Sequence, residues 1–358
     1  MFVLDWAANG YDNVCMITIT SYSIAVVLCI VTMLCWGSWG NTQKLASKGW
    51  AFQLFYWDYS IGVVLFTLML GLTMGSMGST GQSFIADLTS ASPEFVLSAL
   101  VGGIIFNLSN ILLVAAIDLA GMAVAFPVGV GLALVLGVIT TYMENQTGNV
   151  KMLGAGVACV VVAIILDALA YKRLGNLKKG SANSNNKKIV KGIIVSIISG
   201  SLMGLFYSYV VAAMEKTDEL GKIVNENALT AYSAVFIFAV GIFLSNFVFN
   251  TLIMRFPISG GKVGLLDYFK KGNLKLHMIG ILGGAIWCCG TSLSFLCADA
   301  AGPALAYGLG QGATMVSAFW GVFIWKEFKG ADKTTNILLA LMFVMFLSGL
   351  GILVASKL

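Results

Sequence analysis

An all-α membrane protein of ten helices, folded as two inverted five-helix repeats, is the fold class that three features of this chain predict. First, 58% of its 358 residues are hydrophobic and only 10% are charged, whereas a soluble domain carries about 25% charge. Second, apolar runs long enough to cross a bilayer, roughly 20 residues each, recur near 22–40, 52–76, 95–117, 121–142, 151–171, 192–214, 229–253, 277–298, 302–325 and 334–356. Third, Gly102–Gly131 and Gly283–Gly312 align without a gap at an offset of 181 residues, with eleven of thirty positions identical. An odd number of spans separates the two copies, so the second lies upside down relative to the first. Repeats of that kind place a binding site near the membrane midplane and let one half rock against the other.

Residues 1–21 form a tail with Asp5 and Asp12 where a cleavable signal would carry Lys or Arg. The first repeat occupies 22–171 and the second 192–358. Between them, 172–191 is a basic linker whose Leu174–Lys188 stretch, LGNLKKGSANSNNKK, is polar and flexible in composition. Of the 21 Lys and Arg residues, 17 fall in the first, third, fifth, seventh and ninth gaps between spans. Basic residues gather on the cytoplasmic side. The expectation is a multi-pass protein of the cell membrane with both termini outside and the linker inside. Distributed in this way, the net charge of +5 says nothing about nucleic acid, which is not an expected partner. The bilayer and a small-molecule substrate are, and pairing of two copies stays open. The seven cysteines form no C-x-x-C, and the lone His277 completes no metal cage with them. They read as small buried hydrophobes, and no cofactor is expected.

Polar side chains inside apolar spans are costly, so each is a functional candidate. Asp58 lies about seven residues into the second span, roughly 10 Å along a helix rising 1.5 Å per residue. It either binds a transported proton or pairs with Lys44 or Lys48 beside an aromatic belt. Asn107 and Asn110 share a face of the third span; their amides suit a ureido, lactam or sugar ligand, or join helices to one another. Their counterparts one repeat later are Cys288 and Thr291, which makes the site lopsided. Trp287 and Tyr307 align with Phe106 and Phe126 and could stack on a flat ring or pack. Gln311 lies between two glycines. Asn246 and Asn250 are weaker candidates. Asp118 and Asp299 match across the repeat and read as caps or gates, as do Glu144 and Glu327 at the ends of their spans. Asp167, near Lys172 and Arg173, reads as a surface ion pair. Gly129 and Gly131 with Pro127, then Gly310 and Gly312, thin equivalent spans for hinging and close packing, and Gly37 and Gly40 do likewise in the first span.

The ten-span inverted plan resembles the drug/metabolite transporter superfamily. Within it, Cys35-Trp-Gly-Ser-Trp-Gly-Asn-Thr-Gln-Lys44, Phe55-Tyr-Trp-Asp-Tyr-Ser60 and Gly102-Gly-x-x-x-Asn107-x-x-Asn110 resemble the ureide permease group and its bacterial relatives. Glucose/ribose and rhamnose carriers are similar cousins. The resemblance implies a secondary carrier, not an enzyme, that takes up a small polar metabolite by alternating access. A ureide or nucleobase is favoured, with proton coupling through Asp58, and Trp36 joins the substrate contacts. A monosaccharide carrier is the alternative, and a channel or an exporter is the rival from another class. Plant members carry a longer central loop described as holding a phosphate-binding motif. Here Gly175-Asn-Leu-Lys-Lys-Gly180-Ser181 lacks the Lys that would reach the phosphates, so ATP-driven transport is not expected.

Overall fold

In a bilayer each span must satisfy its own backbone N–H and C=O groups, which a helix does internally. The computed structural model describes residues 16–47, 49–78, 81–120, 122–144, 146, 148–178, 186–216, 224–258 and 261–357. It begins with α1 (Tyr22–Ser38), α2 (Gly40–Ala46), α3 (Phe52–Leu72), α4 (Phe84–Ser90), α5 (Pro93–Ala120), α6 (Met122–Glu144), α7 (Val150–Lys178) and α8 (Asn186–Ala213). There follow α9 (Ala231–Arg255), α10 (Asp267–Lys271), α11 (Leu274–Leu296), α12 (Ala298–Ala301), α13 (Pro303–Gly310), α14 (Ala313–Phe319), a π-helical turn (Trp320–Ile324) and α15 (Lys333–Ala355).

Among the described residues, eight helical segments are long and apolar enough to cross a membrane, with α1 and α2 running on as one of them. Large apolar side chains such as Ile24, Leu65, Phe247 and Leu341 stand about half exposed on the outside of the bundle. Such a surface is stable only against lipid. This is an all-α, multi-pass membrane protein. The other two expected runs are α6 and a ninth segment that is not continuous. Gly302, at φ +90°, starts α13. The helix then breaks at Gln311 and Gly312, where the Gly312 N–H bonds the Leu309 carbonyl three residues back, and ends in the wider π turn. The Trp36 ring and the Met33 sulfur would lie 2.5 Å from a Cβ at Gly310 and at Gly312 respectively, so the first segment packs directly on the thinned backbone.

Helices take a large part of the expected linker. Residues 172–178 finish α7 and 186–191 begin α8, since Lys and Arg are good helix formers whose long stems reach out to solvent. Positions 179–185 lie outside the described residues.

The same packing occurs twice. α5 packs on α9 and α11 on α3; α5 lies along α8 and α11 along α1. A Cβ at Gly103 would lie 2.1 Å from the Phe238 carbonyl oxygen, and one at Gly284 would lie 2.0 Å from that of Tyr59. From the opposite helices, a Cβ at Gly241 would lie 2.4 Å from the Leu100 oxygen and one at Gly62 2.1 Å from the Ile281 oxygen. Backbones touch at these crossings, and small residues permit it. Gly37 and Gly129 are also crowded, by Val316 at 2.4 Å and Leu113 at 2.8 Å. The expected packing role fails at Gly40 and Gly131, where a Cβ would meet nothing within 4 Å. The side chains of Asp118 and Pro127 lie outside the described residues.

Candidate functional site

The two ends of the bundle differ. At the end away from the linker, Asp87 Oδ2 accepts from the Thr230 N–H (2.9 Å) and hydroxyl (2.8 Å), Tyr22 donates to the Val354 carbonyl (2.6 Å), and Lys357 donates to the Ala300 carbonyl (2.6 Å). These bonds tie neighbouring elements together at that end. Toward the linker end a cavity of about 340 Å³ opens among α1, α2, α5, α6, α7, α8, α11 and α14, within the size range of small-metabolite sites.

Aromatic rings make its floor. Trp287 stacks on Phe106 at 4.5 Å, and Phe206 meets Phe106 edge-on at 5.0 Å. Behind them Tyr207 stacks on Phe295 at 4.4 Å and meets Tyr307 at 4.9 Å, while Phe238 bridges to Phe206 at 5.6 Å and Phe295 at 6.1 Å. Apolar side chains dominate the walls, and a few polar ones converge on the space: Asn110, Gln311, Thr314 and Asp167. At the mouth Lys44 pairs with Glu327 and lies 4.3 Å from the Trp325 ring centre. The Tyr171 hydroxyl donates to the other Glu327 oxygen at 3.1 Å, and the Trp325 indole donates to Asn41 Oδ1 at 2.6 Å. Glu327 is therefore a tie across the mouth rather than a span cap.

Four of the seven expected substrate contacts line this cavity: Trp36, Asn110, Trp287 and Gln311. Asn110 donates to the Tyr56 hydroxyl at 3.1 Å. The other three lie behind the wall. Asn107 is fully buried and donates to Ser245 at 2.8 Å, joining α5 to α9. Thr291 accepts from the Trp36 indole at 2.9 Å and so sets that ring's angle. Tyr307 donates to the Ala133 and Met203 carbonyls at 3.3 and 3.2 Å. Asn246 and Asn250 likewise join helices, to Ser60 at 3.1 Å and the Gln53 carbonyl at 2.8 Å.

Asp58 is buried, 1% exposed, and does not line the cavity. Tyr268 donates to its Oδ1, and His277 Nδ1 lies 3.0 and 3.1 Å from its two oxygens. Of the alternative partners expected from the sequence, Lys44 is committed to Glu327 instead and Lys48 lies outside the described residues. Tyr268 sits on α10, outside the spans. Burial first, and then the neighbouring Asp58, push its phenol above the ordinary value, so it stays protonated as a donor. Asp299 is exposed within the short α12, and the next helix begins at Gly302 without a side-chain cap, so Asp299 caps nothing.

Asp167 is not a surface ion pair. It is 8% exposed and lines the cavity, while Arg173 turns away to Asp332 at 2.6 Å. Sequence reasoning also passed over Trp39, Lys44 and Tyr171 on this wall. The usable signal was the aromatic and polar run from Trp36 to Lys44, together with Asp167 and Tyr171 one turn apart on a single helix face.

Comparison with known proteins fits this arrangement. The sequence model of the ureide permease family matches residues 55–179 and 173–356. Ureide permease 1 of Arabidopsis thaliana is 24% identical over 395 residues, covering 96% of this chain and 99% of its own. The probable glucose uptake protein GlcU of Bacillus cereus is 24% identical over 281 residues, covering 77% and 85%. One crystal structure superposes with a TM-score of 0.60 at 16% identity over 92% of this chain and 96% of its own, a likeness of fold alone. The chain therefore belongs to the ureide permease family of membrane transporters.

Proposed function

We propose that the protein is a secondary carrier that takes up a small polar metabolite by alternating access, a ureide or nucleobase before a monosaccharide. The observation that carries this reading is the cavity: it opens toward the linker end, is backed by packed rings among the described residues, and is lined by aromatic faces with a few amides. Flat aromatic faces suit a planar ring, and amides supply donor and acceptor together. A channel would need a continuous wet path, which the ring layer opposes. The named substrates of the relatives, ureides and glucose, fit the same size of cavity.

The paired crossings at Gly103 and Gly284 support ten spans in two inverted halves, 22–171 and 192–358, joined by the linker. The distribution of basic residues supports a linker and cavity mouth on the cytoplasmic side of the cell membrane, with both termini outside. Proton coupling is assigned to Asp58, where His277, a quarter exposed, offers a path from solvent.

The reading is tested by thermal-shift titration of the purified protein with ureides, nucleobases and sugars, since a ligand of the folded state raises the melting temperature. Stabilisation by none of them would refute it. A cysteine at Ser184 should resist membrane-impermeant thiol reagents in intact cells, and ready labelling there would reverse the orientation.

A further inference from the structure

Asp167 stands in the cavity wall without a counter-charge or a hydrogen-bond donor among the described residues. It lies on α7 one turn, about 6 Å, from Tyr171, on the side away from the mouth. Of the cations that the sequence set near it, Arg173 is engaged with Asp332 and Lys172 is exposed, while Lys44 at the mouth pairs with Glu327. Its Oδ1 is enclosed with no partner, yet the side chain belongs to the cavity lining. Glu327 faces it from the mouth, already held by Lys44 and Tyr171. A carboxyl group in the apolar interior with no donor is costly. The one cation on this cavity among the described residues, Lys44, is taken by Glu327 at the mouth, which leaves a molecule held in the cavity as the donor for Asp167.

Resting on the carrier reading above, we propose that Asp167 is a specificity-determining residue that accepts N–H groups of the transported molecule, so that the cavity selects planar compounds with a ureido or imide edge. The chemistry favours that class over sugar hydroxyls. A carboxyl group and a ureido edge lie in one plane and pair at two points, and the ring carrying that edge is flat enough to lie against Trp287 or Trp36. A carboxylate accepts two parallel N–H bonds from an open-chain ureido group and one from a cyclic ureide, whose ring N–H groups diverge. A protonated carboxyl still takes one and returns its own O–H to the ureido oxygen.

The probes are hydantoin, a minimal cyclic ureide, and 1,3-dimethylhydantoin, which keeps the flat ring and loses both N–H groups. Calorimetric titration of the full-length purified protein should show hydantoin bound about tenfold to a hundredfold more tightly, the range for one hydrogen bond to a charged group. In Asp167→Ala the preference should collapse to within about twofold, because each probe then meets the same surface. Asp167→Asn, whose amide oxygen still accepts, should retain part of it. A steric or merely structural role for Asp167 would weaken both probes alike and leave their ratio unchanged; that result overturns the assignment while leaving the carrier reading intact. Equal binding of the two probes by the wild-type protein overturns it without any variant. A wild type that binds glucose but neither hydantoin nor uracil overturns both this assignment and the ureide preference. Asp167→Ala removes a buried carboxyl group that has no partner among the described residues, so folding is not at risk on that account.

Discussion

Replacing Gly284 with alanine puts a methyl group where the Tyr59 carbonyl oxygen lies only 2.0 Å away. An ordinary carbon–oxygen contact needs about 3.3 Å, so α11 and α3 must part by about 1.3 Å along that line. The oxygen belongs to a helical backbone and has no rotamer to escape into. The Val63 nitrogen, 3.0 Å from the same point, blocks a sideways slip. Overpacking of this kind costs about 1–3 kcal/mol, and alanine's better helix propensity returns up to about 1 kcal/mol. A net loss of about 1–2 kcal/mol is expected. Intrinsic-fluorescence melting of the detergent-purified protein measures it, with Gly131→Ala as the control, since a Cβ there meets nothing within 4 Å. Gly284→Ala should melt several degrees below wild type and Gly131→Ala at or above it. Gly103→Ala should match Gly284→Ala, because its Cβ comes 2.1 Å from the Phe238 oxygen. If Gly284→Ala melts no lower than Gly131→Ala, backbone contact at these crossings is not what holds the two helices together.

Three further outcomes follow from named groups. Asp58→Asn keeps the hydrogen-bonding shape at Tyr268 and His277 and removes the proton, so proteoliposomes should still exchange substrate but fail to accumulate it under an imposed pH gradient; wild-type accumulation would end the coupling assignment. The Lys44–Glu327 pair is solvent-exposed, with side chains 41% and 34% accessible, so a double-mutant cycle on melting should give a coupling of about 1 kcal/mol or less; a much larger value would mean that the mouth is closed to water. Glu215 lies outside the spans, where burial first and then Asp87 push its carboxyl from 4.5 up to about 6. A folded value above the unfolded one means that its stabilising contribution is full below pH 4.5 and is lost as pH rises through about 6. The melting temperature should fall across that window, and Glu215→Gln should flatten the fall.

Much of the bundle was readable because its spans are long, apolar and separated by charge, and because the Gly102 and Gly283 repeats preserve the glycines at which helices touch. What sequence spacing does not convey is where a side chain points in three dimensions. Asn107 and Asn110 share one helix face, yet Asn110 reaches the cavity while Asn107 is met by Ser245 across α9. Asp167 looked paired because Lys172 and Arg173 are near in sequence. Six residues is well past a whole turn, and Arg173 reaches α15 instead. The break in the ninth segment was hidden because Gln311 and Gly312 keep near-helical dihedrals. Only the change of hydrogen-bond partner, and the Trp36 and Met33 side chains pressed against the glycines, reveal it.

The ring layer beneath the cavity also has an electrical consequence. Solution filling the cavity up to Trp287 and Phe106 would carry the potential at the mouth down to that depth. The transmembrane voltage then falls mostly across the sealed half, where Tyr207, Phe238 and Phe295 are packed. Each elementary charge crossing there exchanges about 2.3 kcal/mol per 100 mV with the field, whereas a neutral ureide or sugar exchanges nothing. Charge moved within the flooded mouth, at Lys44 and Glu327, is almost invisible to the voltage. Any current that accompanies transport therefore counts only what passes the rings.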